Sequence, residues 1–252
     1  MRLDGRRVAL TGGTGGIGRS LARRLVAAGS DVLVLGRTEP LDLPVRFLHA
    51  DFSSDAEIDA AAAALQADAP DVLINLAGVQ YVGPFEIQST ASVYRAYRIN
   101  LVAPARLSQA VLPLMRTRGT GQIVNVGSVL GSINYPYFVT YSSSKAGLRG
   151  FSEGLRRELR GTGIHVTHIA PRAIKTGMTR GLVERFARAT QMALDDPDRV
   201  IGAMLDAILN DKKDVVIGWP ESLFVKVNGL APRLIDGPIG VSADKARSLF
   251  GQ

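Results

Sequence analysis

Short runs of apolar and β-branched residues alternate along this chain with longer segments whose apolar positions return every three or four residues. "RRVALT" predicts a strand, and "IGRSLARRLVAAG" predicts a helix that stops at Gly29. Further strands are predicted at "DVLVLG", "VRFLHAD", "DVLINLAG", "GQIVNVGS", "IHVTHIAP" and "DVVIG". Between them lie an alanine-rich helix at Asp55–Asp68, a long helical stretch from Ser89 to Arg116, and a helix across "PDRVIGAMLDAILN". One more helix runs from about Thr140 to Arg160, where Leu148, Phe151, Leu155 and Leu159 fall on a helical period. Strands that are apolar throughout and separated by helices imply a parallel sheet covered on both faces. With right-handed crossovers, the expected class is α/β: a doubly wound parallel seven-stranded sheet with helices on both faces. Nothing marks an internal boundary, so residues 1–252 are expected to form a single domain. Two stretches escape the alternation, residues 175–196 and the tail from 219 to 252.

The composition narrows the chemistry. Among 252 residues there is no cysteine, which excludes disulfides and thiolate nucleophiles or metal sites. The formal net charge is +7, but the basic residues are dispersed rather than gathered into a run. A solvated basic surface that attracts small anions fits this better than nucleic-acid binding. No segment has the length of a secretory h-region or a membrane span, which makes the cytoplasm the default expectation. His49, His165 and His168 are scattered, and no metal site is expected.

"TGGTGGIG", Thr11–Gly18, stands between the first strand and the first helix. Glycines there let the backbone turn tightly and bring a phosphate against the N–H groups that open a helix. The spacing reads T-G-x-x-x-G-x-G, and "NLAG" (75–78), Asn100, Ser128, and Tyr141 with Lys145 in "YSSSK" follow in order. With these motifs the chain, over about Arg6 to Val216, resembles the short-chain dehydrogenase/reductase family. The resemblance implies a Rossmann-like fold, a nicotinamide dinucleotide, and a homodimer or homotetramer built through helices near 89–116 and 140–160. It also implies cofactor contacts at Gly12, Thr14, Gly16, Ile17, Gly18, Asp51, Phe52, Asn75, Ala77, Gly78, Pro171, Ile174 and Thr176. Asp51 would meet the adenine amino group, and Ile174 and Thr176 the nicotinamide carboxamide. At the end of the second strand an acid would favour NAD(H), whereas this chain has Gly36 and then Arg37. A guanidinium suits a 2′-phosphate, so NADP(H) is expected in preference to NAD(H), although Gly15 stands where many NADP-preferring relatives carry a basic residue.

Tyr141 and Lys145 are four apart and share a helix face. A neighbouring ammonium favours the phenolate, and the tyrosine is expected to work as acid in carbonyl reduction and base in alcohol oxidation. Ser128 follows the fifth strand, where its hydroxyl can bind the substrate oxygen. In the family, the residue matching Asn100 positions the lysine through a water, and the lysine also holds the nicotinamide ribose. Singly, each of the four has an ordinary structural reading; jointly they point to an oxidoreductase acting on a small carbonyl or alcohol. The rival is a nucleotide-sensing or interaction protein that uses the same fold without turnover.

Two departures carry expectations of their own. In "PRAIKT" an arginine, Arg172, replaces the family's glycine. It reshapes the nicotinamide-side pocket, meets an anionic substrate group, or projects to solvent, and the last is favoured. Met178, Leu182, Val183 and Phe186 suggest an apolar lid over a hydrophobic or lipid-like ketone. Leu223, Phe224, Val227 and Leu230 form a rough stripe that reads as a pocket cover or subunit interface ahead of a peripheral membrane contact.

Overall fold

The computed structural model describes residues 2–251. In chain order the elements are β1 (Arg7–Thr11), α1 (Gly16–Ala27), β2 (Asp31–Gly36), β3 (Arg46–His49), α2 (Asp55–Asp68) and β4 (Val72–Asn75). Then come α3 (Thr90–Tyr97), α4 (Ala103–Arg118), β5 (Gly121–Val126), α5 (Leu130–Ile133), α6 (Val139–Glu158) and β6 (Ile164–Pro171). The chain continues through α7 (Leu182–Thr190), α8 (Pro197–Leu209), β7 (Asp214–Ile217), α9 (Glu221–Leu230) and α10 (Arg233–Asp244).

All seven strands join one sheet in the order β3-β2-β1-β4-β5-β6-β7, and every pairing is parallel. Burial explains the strand sequences: every residue of β4 and β5 is inside, because helices cover both faces. On one face Leu21 and Leu25 of α1 pack with Val200 and Met204 of α8. On the other, Ile58 and Leu65 of α2 meet Leu107 of α4 and Leu155 of α6. The strand order reverses between β1 and β4, which leaves a crevice at the carboxyl ends of the strands, where open sheets of this kind bind ligands.

Helix starts follow local chemistry. Ser54 caps α2 by accepting from Glu57 N, and Asp196 caps α8 by accepting from Asp198 N at 2.9 Å, with Pro197 in the first turn. The long helix expected from Ser89 to Arg116 is two helices, joined by a π turn at Arg98–Val102 that contains Asn100. A π turn adds a residue to the local repeat, and such turns gather at functional sites.

Beyond the sheet, a 3₁₀ turn at Gly177–Thr179 and α7 form a flap, and α9 with α10 form a C-terminal cover. Phe186 of α7 is fully buried among Tyr135, Tyr137, Phe138 and Phe250, with ring centroids 5.2–6.4 Å away. Burial of such a ring is worth about 1.5–3 kcal/mol. Phe186 is therefore a structural bolt between flap and C-terminus, and it does not present the apolar surface to substrate that the sequence suggested. No helix among the described residues is long and apolar enough to cross a membrane.

Candidate active site

The glycine turn is shaped by contacts that no side chain would survive. Gly12 has φ +72°, and a Cβ there would lie 2.9 Å from Ala77 Cα. At Gly18 a Cβ would fall 2.1 Å from the Gly12 carbonyl oxygen. Thr11, which the sequence reading passed over, fixes the crevice floor: its hydroxyl accepts from the amides of Leu76 and Ala77, both at 3.0 Å. At the start of α1, Gly15 supplies no side-chain cap and the first turn holds no acid. The helix thus offers N–H groups and the positive end of its dipole with no side chain competing for them, which fits a pyrophosphate. Thr14 lies beside the end of β2, since a Cβ on Gly36 would stand 3.6 Å from its hydroxyl, and Ile17 lines the cavity described below.

Arg37 is exposed just past β2. Asp51 Oδ1 accepts from the Ser53 amide at 2.9 Å and hydroxyl at 2.8 Å. These bonds, with the charges of Arg37 and Arg95 nearby, hold its carboxyl below the usual carboxylate range. Arg95 of α3 was not legible as a neighbour of this corner. Phe52 is buried, with its ring in the core. Asn75 closes β4: its side-chain amide donates to Asn125 Oδ1 at 2.8 Å and leans on Ser108, so it braces β4 against β5.

The chemical groups converge where β5 ends and α6 begins. Ser128, Tyr141, Lys145 and Gly78 line one cavity. Ser128 Oγ accepts from Leu130 N at 3.1 Å, which fixes the hydroxyl at the head of α5. Asn100 Oδ1 accepts from Val79 N, and its Nδ2 donates to Val79 O and Ser144 Oγ, all at 2.9 Å. The asparagine thus clasps the loop after β4 to α6. A Cβ on Gly78 would sit 3.3 Å from Asn100 Oδ1 and 3.4 Å from Lys145 Nζ, so glycine there lets both side chains close in.

Electrostatics refine the expectation for the Tyr141–Lys145 pair. Burial pushes the Tyr141 phenol above its ordinary value, and a hydrogen bond with Ser128 opposes that rise. Lys145 Nζ donates to Val126 O at 2.8 Å, and burial brings its own pKa down to about 8. A measurable consequence follows for the protein without added cofactor. Between pH 8 and the ordinary 10.5 of lysine, the unfolded chain holds a proton that the folded one has shed. Stability therefore rises with pH across that window, whereas below it folding bears the full cost of a buried ammonium, on the order of 3 kcal/mol. Lys145→Met should raise the thermal midpoint at pH 7 by roughly 5 °C, and the gain should shrink toward pH 10. Denaturation scans of both proteins across this range check it.

Residues 171–176, from the last residue of β6 onward, build the cavity wall next to the glycine turn. Thr176 lies against the glycine turn, for a Cβ on Gly16 would be 3.2 Å from Thr176 Cβ. Thr179, another residue missed in the sequence, pins this segment: its hydroxyl donates to Ile174 O at 2.8 Å, and its Oγ1 accepts from Thr176 N at 3.0 Å. Arg172 corrects the expectation of solvent exposure. Its guanidinium donates to both oxygens of Asp195, at 2.8 and 2.6 Å, and to Trp219 O and Glu221 Oε2 at 2.9 and 3.0 Å. Pro171, Arg172, Ile174 and Thr176 all border the cavity.

That cavity measures about 660 Å³, within the range of small-molecule sites. Away from the polar corner its walls are chiefly apolar, with Met178 and Val183 from the flap and Leu223, Phe224, Val227 and Ile235 from α9 and α10. Of the apolar flap residues expected to face substrate, Met178 and Val183 line this cavity.

Residues 6–186 match the short chain dehydrogenase family. The ketoacyl reductase HetN of Nostoc sp. is 31% identical, aligned over 93% of this chain and 88% of its own length. A short-chain dehydrogenase from Streptomyces avermitilis superposes with a TM-score of 0.80 at 28% identity, covering 96% of this chain and 99% of its own. Another, from Sphingobium yanoikuyae in complex with NADPH, gives 0.78 at 27% identity and covers 91% and 95%. Sheet order, glycine turn and matched residues agree: the chain belongs to the short-chain dehydrogenase family of oxidoreductases.

Proposed function

We propose that this protein is an NADP(H)-dependent reductase of apolar ketones, working also in reverse on the corresponding alcohols. The observation that carries the reading is the convergence of Ser128, Tyr141 and Lys145 on one largely apolar cavity beside an uncapped helix start. The cofactor would rest on the N-terminus of α1, with Arg37 toward a 2′-phosphate, Asp51 toward the adenine, Lys145 toward the nicotinamide ribose, and Ile174 and Thr176 toward the carboxamide. When bound, it supplies the hydride that reduces the carbonyl carbon.

The protein's own groups handle the oxygen. The Ser128 hydroxyl donates a hydrogen bond to the substrate oxygen and holds it beside the phenol. Tyr141, a phenol in its acid form at neutral pH whose pKa burial raises further, donates its proton as negative charge develops on that oxygen. Lys145 places a cation next to the phenolate left behind, and Asn100 keeps the loop after β4 against α6, so that the corner holds its shape. The rest of the cavity excludes water and receives the substrate's apolar body.

The Nostoc relative named a ketoacyl reductase and the Sphingobium structure holding NADPH support this reading. A homodimer or homotetramer is part of it, with exposed Tyr94 on α3, Val102 at the end of the π turn and Val139 on α6 as apolar contacts. The test is a panel of ketones of increasing chain length with NADPH and NADH, followed at the nicotinamide absorbance. KM should fall with length, because each buried methylene contributes about 0.8 kcal/mol. Arg37→Asp should cost about 10–100-fold in kcat/KM with NADPH and little with NADH, as expected when charge-assisted bonds to a phosphate are lost. Equal loss with both cofactors would take Arg37 out of this role.

A further inference from the structure

Arg172 stands where the family pattern has glycine, and the surrounding chain is fitted to it. Gly218 has φ +124°, and a Cβ there would lie 2.7 Å from Arg172 Cδ, so the arginine stem needs that glycine to pass. Its head joins three parts of the chain that are distant in sequence. Asp195, 4% exposed, closes the flap segment; Glu221 opens α9; and the Trp219 carbonyl precedes it. Asp195 is also stitched to the nicotinamide-side segment by backbone, through Asp195 N to Ala173 O at 2.8 Å and Lys175 N to Asp195 O at 3.1 Å.

We propose that Arg172 is a positioning residue that locks the flap's end and the start of α9 to residues 173–176, so that the apolar wall of the cavity and the cofactor-facing segment move as one unit. The inference deepens the reading of the site as a reductase of apolar ketones. It assigns specificity for the substrate's far end to the ion cluster, since α9 carries Leu223, Phe224 and Val227 into the cavity. One guanidinium faces two carboxylates here, so the cluster is a clasp with net negative charge and not a receptor for an anionic substrate group. A bidentate guanidinium–carboxylate pair fixes direction as well as distance, which a lysine would not reproduce.

Removing Arg172 alone would leave Asp195 charged and buried, and such a variant risks misfolding. The double variant Arg172→Met, Asp195→Asn takes away both charges, and Glu221→Gln loosens only the tie to α9. Hydrogen–deuterium exchange followed by mass spectrometry, which needs no substrate, reads the coupling. In the double variant exchange should quicken together at 173–176 and at 221–230, while the central strands keep native protection. In Glu221→Gln the faster exchange should be confined to 221–230. With ketones, the double variant should raise KM for a long-chain substrate about tenfold, as loss of a few apolar contacts does, and by a smaller factor for a short one. Faster exchange in only one of the two segments of the double variant would overturn the proposal, as would equal KM changes for long and short ketones. If the wild type reduces no ketone, the reductase reading falls while the exchange data still decide the clasp.

Discussion

Tyr141→Phe should lower kcat/KM for ketone reduction by about 10²–10⁴-fold, the usual contribution of a positioned general acid. The change removes one oxygen and nothing else of size. The ring keeps its edge contact with Phe138, 6.5 Å between centroids, and the helix that carries it is unaltered. NADPH affinity should stay within about threefold, because the loss falls on the transition state and not on ground-state binding. Fluorescence titration beside initial rates separates the two. The direction of the phenol's pKa adds a second signature. With burial raising it, Tyr141 is in its acid form through neutral pH, as reduction requires, and the alcohol-oxidising direction should gain rate as pH climbs. Equal pH profiles in both directions would contradict that assignment.

Gly18→Ala should abolish cofactor binding at ordinary concentrations, weakening it about 100-fold or more, comparable to losing several phosphate hydrogen bonds at once. A single methyl suffices, since its carbon would sit 2.1 Å from the Gly12 carbonyl oxygen and 2.8 Å from the Gly12 carbonyl carbon. Backbone must then move, and what moves is the turn whose N–H groups are proposed to receive the phosphates. Gly229 is the matched control, for nothing lies within 4 Å of a Cβ built there. Gly229→Ala should bind NADPH as the wild type does, and circular dichroism of both variants shows whether the sheet has survived.

Much of this architecture could be read from periodicity because the sheet is buried on both faces and its strands are apolar end to end. β2 and β6 fall where the pattern put them. The break at Arg98–Val102 could not be seen, since one extra residue in a helical repeat leaves the apolar pattern almost unchanged. The four chemical residues stood out because they cluster in order along the chain. Thr11, Arg95 and Thr179 did not, because their roles rest on partners far off in sequence or on turn geometry that threonine does not announce. Arg172 was misjudged for a related reason. An arginine after a strand is usually a surface group, and only the folded chain brings Asp195, Trp219 and Glu221 around it. The Tyr141–Lys145 spacing was legible, but the balance between burial and charge depended on where Nζ points, and that is toward the Val126 carbonyl.

The most direct test of the account is the fate of the nicotinamide hydrogen. Wild-type protein would be given NADPH deuterated at C4 on either face and an apolar ketone, and the alcohol analysed by mass spectrometry and NMR. The account predicts deuterium at the carbinol carbon from one face of the nicotinamide only. Alcohol that carries none from either face would contradict hydride transfer at this site.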